Sequence, residues 1–195
     1  MNTKGLYITG GIIGFIILFM IILYNGLVSS SQLVDSSWAQ VQTQYQRRMD
    51  LIPNLVATVK AEANFEKSTL TDVINARASA TKITLDASVV NDPEKFAQVQ
   101  KAQGQLGTAL GKLMMVSENY PNLKTNQQFA QLMDSLEGTE NRIAYSRDTY
   151  NKSVMGYNAS IISFPTVILA KMFNFNKKEY FQSDVGAEKA PSVQF

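Results

Sequence analysis

Neither cysteine nor histidine occurs anywhere in this chain. Without cysteine there is no disulfide, thiol nucleophile or CxxC site, and no residue to carry a lipoprotein acyl group. Without histidine there is no Ser–His triad and no imidazole ligand for zinc or iron. Charge imbalance is missing too: a net charge of +2 over 195 residues leaves no electrostatic footprint for nucleic acid. Glycine and proline are thin after the amino-terminal region, with no glycine between Gly26 and Gly104. Helix-favouring Leu, Ala, Gln, Lys and Glu are abundant there, which suits long helices.

The longest gap is in charge itself, since no Asp, Glu, Lys or Arg lies between Lys4 and Asp35. Inside it, Leu6 to Leu23 (LYITGGIIGFIILFMIIL) is almost wholly apolar, and roughly 20 such residues at 1.5 Å each cross a hydrocarbon core. A cleaved signal peptide has a shorter apolar core, typically 7–15 residues. An uncleaved transmembrane anchor is therefore expected, with membrane lipid as its first partner. Lys4 and the α-amine flank one side, while the other has no Lys or Arg before Arg47. The positive-inside rule then keeps the amino terminus in the cytoplasm and sends the domain to the extracytoplasmic side of the membrane. Gly10 and Gly14 have the GxxxG spacing that lets two anchors approach closely, although glycine is common in membrane helices generally.

Beyond Asp35 the apolar positions keep a helical rhythm. Val34, Trp38, Val41, Tyr45, Met49, Ile52, Val56 and Val59 fall at steps of three or four. Pro53 interrupts the donor pattern, either kinking one long helix or opening a new one capped by Asp50. Because the stripe stays in phase across it, one long bent helix reaching about Thr84 is expected. Asp92-Pro93 starts a second helix that runs to about Asn119. Gly104, Gly107 and Gly111 lie inside it and suggest close backbone packing. A phosphate loop would need a preceding strand and a Gly-Lys-Ser/Thr ending, and neither is present. Asn119-Tyr120-Pro121-Asn122 makes a turn into a third helix ending near Ile162, and Pro165 separates it from a short helix over Thr166–Phe173. The predicted fold is all-α: an amino-terminal transmembrane helix, then an elongated antiparallel bundle of three to four helices, the first long and kinked or broken near Pro53. The expected domains are 1–28 (tail and anchor), 29–176 (bundle) and 177–195 (flexible tail).

Several blocks carry a resemblance. They are Tyr24-Asn25 with Leu27-Val28, Trp38, RRMDLIPNLVATVK (Arg47–Lys60) and Ala76-Arg77. Further on come ENYPNLK (Glu118–Lys124), EGTENRIA (Glu137–Ala144), Tyr150-Asn151 and Tyr157-Asn158. Together they make the chain similar to the LemA family along nearly its whole length. The resemblance implies a bacterial membrane protein with an amino-terminal anchor and an antiparallel helical bundle, engaged in envelope or membrane organisation rather than a defined reaction. Phe65-Glu66 stands where the family has His-Glu, so any role of that histidine is absent here.

Candidate sites follow from the same residues. Glu62 with Glu66, and Glu137 with Glu140, are acid pairs, but carboxylate di-metal bundles add Glu-x-x-His, which this chain does not have. No metal, cofactor or small-molecule substrate is expected, and solvated or paired carboxylates are. Arg47, Arg48 and Asp50 beside Pro53 form the densest polar cluster on an apolar helix, and they read as structural pairs or as a partner-docking surface. A helix from Val28 to Thr84 spans roughly 85 Å against about 40 Å for the next helix. Unless the chain folds back at Pro53, Val34, Trp38, Val41 and Tyr45 lack a cover and favour self-association. Val193 and Phe195 alternate at the carboxy terminus, where a free carboxylate and two same-side apolar groups suit strand addition to a partner's sheet edge. Members of the family tend to end in a similar pattern. The expected function is a non-catalytic membrane-anchored scaffold with a protein partner or a second copy. The alternatives are an adaptor for a membrane protease or transporter, and an enzyme using carboxylates only.

Overall fold

The computed structural model describes residues 3–62 and 65–182. These form six α-helices: α1 (Thr3–Lys60), α2 (Lys67–Thr81), α3 (Pro93–Ser117), α4 (Pro121–Lys124), α5 (Gln127–Ile162) and α6 (Thr166–Met172). No strand occurs among the described residues. The all-α bundle expected from the sequence is therefore the fold.

One helix of 58 residues supplies both anchor and bundle. Its first part, from Tyr7 to Ile22, carries exposed apolar side chains, as a segment facing lipid requires. Its second part is amphipathic: Leu27, Val34, Trp38, Val41, Tyr45, Met49, Ile52, Leu55 and Val59 are buried on one stripe. Pro53 lies inside this helix without ending it. Proline has no N–H to offer the carbonyl of Met49. Arg77 of α2 supplies the missing donor, its Nε reaching the Met49 oxygen at 3.1 Å. Asp50 accordingly caps nothing; its carboxylate accepts from Gln46 Nε2 at 2.8 Å.

The break that the sequence did not announce falls after Lys60. There Phe65 turns into the core and packs its ring at a tilt against Tyr120, ring centroids 4.8 Å apart. The chain then retraces α1 as α2, and the following loop is fixed to α1 by two side chains. Gln42 Nε2 donates to the Leu85 carbonyl and Trp38 Nε1 to that of Asp86. Asp92 caps α3 as expected, accepting from Glu94 N and Lys95 N, with Pro93 at the first position. Asn126 caps α5 the same way. Paired residues (Ser37 with Ser153, Tyr45 with Arg147, Arg48 with Glu140) show α5 running antiparallel to α1. After the cis Phe164–Pro165 peptide, α6 turns 94° away from α5.

Three expectations are corrected by this arrangement. The stripe Val34, Trp38, Val41 and Tyr45 is not bare: it is buried against α5, α6 and the segment after α6, none of which the length argument counted. The glycines of α3 do not mediate a backbone contact. A methyl at Gly104 or Gly111 would meet nothing within 4 Å, and at Gly107 only the Arg48 guanidinium, at 3.9 Å. The boundary at 176 cuts a packed segment, since Lys178 and Phe181 are buried.

Candidate functional site

The core divides into two clusters, and a polar layer sits between them on all three long helices. Arg48 of α1 is buried at 2% exposure. Its Nη1 donates to both oxygens of Glu140 on α5, at 2.8 and 3.0 Å. Its Nη2 donates to the main-chain and side-chain oxygens of Gln103 on α3. The guanidinium also lies 5.6 Å from the centre of the Tyr45 ring. A buried cation this well paired fixes the register of three helices and is costly to expose. Arg48 is thus an internal tie, which corrects its candidacy as a docking residue.

A second buried cation ties down the segment after α6, residues 174–182. Lys178 pairs with Asp35 at 2.8 Å and lies over Tyr157. Along this strap, α5 provides a ladder of side chains in place of a strand partner. Asn151 exchanges two hydrogen bonds with the backbone of Phe181, and Asn158 two with that of Lys178, at 2.9–3.0 Å. The hydroxyls of Tyr150 and Tyr157 donate to the carbonyls of Glu179 and Asn176. The two Tyr-Asn pairs are spaced one heptad apart, so they share a face of α5. In the sequence these pairs stood out only as part of the family resemblance, without showing what they hold. The signal was there, because an asparagine beside a buried stripe needs a partner for its amide.

Burial raises the phenol pKa of Tyr45, Tyr150 and Tyr157. At Tyr45 the charge of Arg147, whose Nε donates to the phenol at 3.0 Å, pulls the other way. All three stay protonated donors or acceptors at neutral pH.

Of the polar cluster, Arg47 and Asp50 remain outside. They are exposed and, with Gln42, Thr43, Gln46 and Leu51, line an open groove along α1 closed on one side by Leu85. Gly10 and Gly14 also stand open, since a methyl added at either would meet nothing within 4 Å outside its own helix backbone. Val193 and Phe195 lie outside the described residues. Among the described residues no group of three acidic side chains converges to hold a metal ion, and Glu140 is committed to Arg48.

The anchor, the continuous strut and the tied bundle define a membrane-associated helical protein with one helix long and apolar enough to cross a bilayer. The chain belongs to the LemA family, which it matches over residues 37–195. It is 28% identical over 175 residues to magnetosome protein MamQ 2 of Paramagnetospirillum magneticum, covering 82% of this chain and 64% of that one. It is 26% identical over 174 residues to magnetosome protein MamQ of Magnetospirillum gryphiswaldense, covering 81% and 64%. It is 23% identical over 159 residues to protein LemA of Metamycoplasma hominis, covering 82% and 68%. The chain thus spans less than two thirds of the length of the magnetosome relatives it matches.

Proposed function

We propose that this protein is a non-catalytic scaffold that holds a docking surface at a fixed height above a bacterial inner membrane. The observation that carries the reading is the unbroken α1, which leaves no hinge between anchor and bundle. At 1.5 Å per residue, the groove around Arg47 stands about 35 Å from Tyr24, the residue that closes the apolar run. The buried cations are both spent on holding helices together, and the exposed polar groups of the groove offer both signs of charge to a protein partner. Two relatives named as magnetosome proteins support a role in membrane organisation. Lys4 supports placing the bundle on the extracytoplasmic side.

The test separates height from mere tethering. A flexible Gly-Ser segment is inserted between Ser29 and Ser30 in the full chain, and neighbours are mapped by proximity labelling in cells. Neighbours should change while membrane localisation and the α1–α5 pairing beyond Val34 persist, the contacts of Tyr24 and Leu27 with the bundle being loosened. An unchanged neighbour set rejects the fixed-height reading.

A second reading, an adaptor for a membrane protease or transporter, rests on the groove alone. Reversing its charges with Arg47→Glu and Asp50→Lys would then abolish partner capture, and the inserted segment would not. Self-association is proposed at Gly10 and Gly14, since the buried stripe is committed to the chain's own core. Val193 and Phe195 remain a proposed partner-binding tail.

A further inference from the structure

We propose that the elbow between α5 and α6 is a second membrane contact, a short interfacial foot that lies in the headgroup–acyl boundary of the bilayer crossed by α1. The proposal rests on reading α1 as the membrane span, and its occupant is lipid.

Position comes first. Leu169, Met172 and Phe173 face Ile17, Met20, Ile21 and Tyr24 across an apolar groove. Tyr24 meets the rings of Phe173 and Phe175 at 4.9 and 5.9 Å. Ile17 to Tyr24 is the last part of the apolar run, so α6 sits beside the outermost ~10 Å of the span. Orientation follows from the fold. Because α5 lies antiparallel along α1 and α6 turns 94° from it, α6 lies roughly in the plane of the membrane.

The surface chemistry matches that location. Ile162, Phe164, Ile168, Met172 and Phe173 are 60, 82, 53, 66 and 54% exposed, all within one elbow. Elsewhere on the bundle the large exposed apolar side chains, such as Met115 and Tyr145, are scattered. A contiguous apolar patch marks an interaction surface, and this one is continuous with the lipid-facing anchor. Polar groups in the elbow are internally paired, as a low-dielectric setting demands. Thr166 Oγ1 donates to the carbonyls of Ser160 or Ser163, at 2.5 and 2.7 Å, and Ser163 Oγ to that of Ala159 at 2.7 Å. Lys171, in the last turn, has the long stem that lets an ammonium reach the headgroups from an apolar surface.

The absence of cysteine makes the test direct, since each labelling site needs a single substitution at an exposed position. Nitroxides are placed at Phe164→Cys, Ile168→Cys and Met172→Cys in the full chain. Ile13→Cys serves as the anchor reference, with Met115→Cys and Tyr145→Cys as water references. Each variant is reconstituted in phosphatidylcholine–phosphatidylglycerol nanodiscs. Accessibility to oxygen, which partitions into lipid, is compared with that to a water-soluble nickel chelate. The three elbow sites should show an oxygen-to-nickel ratio several-fold above both water references and closer to that of Ile13. Elbow sites that match the water references while Ile13 reads as lipid overturn the foot. Elbow sites shielded from both reagents mean that protein covers them, which also overturns it. An Ile13 that reads as water removes the anchor reading itself.

Discussion

On the membrane side of Arg48, the core sets Trp38, Tyr45, Phe96, Tyr150, Tyr157 and Phe181 among aliphatic side chains such as Val34, Val41, Val99, Ile143 and Val154. On the far side it is built from Ile52, Leu55, Val59, Val73, Leu106, Leu110, Leu113 and Leu136, with Phe65 and Phe129 among them. The two halves enclose different things. The far half packs mainly regular helices, and its turns at Phe65 and Tyr120 pair their own backbone groups, so aliphatic side chains suffice. The near half also encloses a loop and an irregular strap, whose free carbonyls need donors. Aromatic residues with polar tips fill the volume and donate at once: the Trp38 indole to Asp86, the tyrosine hydroxyls to Glu179 and Asn176. The difference in core chemistry thus follows from the regularity of what is being packed.

The largest effect that tests this contrast is expected at Trp38. Trp38→Ala should cost about 4 kcal/mol in chemical denaturation of the detergent-solubilised protein, within the range for truncated core aromatics. It should also raise amide exchange at Phe181, whose ring stacks on the indole. Leu110→Ala, at about 3 kcal/mol, should leave exchange at Phe181 unchanged. Equal loosening of the strap by both would erase the distinction between the halves.

The polar layer between them comes next. Glu140→Ala strands the Arg48 charge, and about 3 kcal/mol is expected, the low end for a broken buried pair because Glu140 is partly exposed. Replacing the whole layer by Arg48→Met, Gln103→Leu and Glu140→Met should come close to wild-type stability, since Arg48 Nε already goes unpaired. A triple variant as unstable as Glu140→Ala would show that the layer stabilises the fold rather than setting helix register.

A smaller effect concerns the proline inside α1. Arg77→Ala leaves the Met49 carbonyl without a donor and should cost about 1–2 kcal/mol. In the Pro53→Ala background, where the helix supplies its own N–H, the same change should cost much less. Equal costs in the two backgrounds, read from the double-mutant cycle, would dissociate Arg77 from the proline. Smallest, and opposite in sign, Gly104→Ala and Gly111→Ala should each stabilise α3 by up to ~1 kcal/mol, because the added methyls meet nothing. A loss of stability would point to a contact with another molecule on that face.

What could be read from the sequence was whatever local chemistry decides. The anchor follows from an uncharged apolar run, the start of α3 from Asp92-Pro93, the end of α5 from Pro165, and the buried face of α1 from its spacing. What could not be read depended on distant partners. The end of α1 after Lys60 has no glycine or proline to announce it; it is set where Phe65 finds Tyr120. The continuity of α1 through Pro53 needs a donor from Arg77, 28 residues beyond the Met49 carbonyl that it caps. Arg48 and Arg47 are neighbours of the same type, yet one is buried and the other exposed. Their fates are decided by helical phase and by the acid that α5 presents. The strap was misread for a simple reason. Its polar, small composition resembles a free tail, and only the Tyr-Asn pairs on another helix reveal that it is held.

The unbroken passage of α1 from bilayer to bundle also makes the molecule a lever. The stretch from Tyr24 to Lys60 is a rigid arm of about 54 Å. Membrane helices tilt by about 20° on average and adjust that angle to the thickness of the hydrocarbon. A 20° change at the anchor sweeps the far end sideways by about 18 Å, given the arm length and that angle. Such a change of tilt would move the turn around Phe65 and Tyr120 laterally without any change in the fold itself.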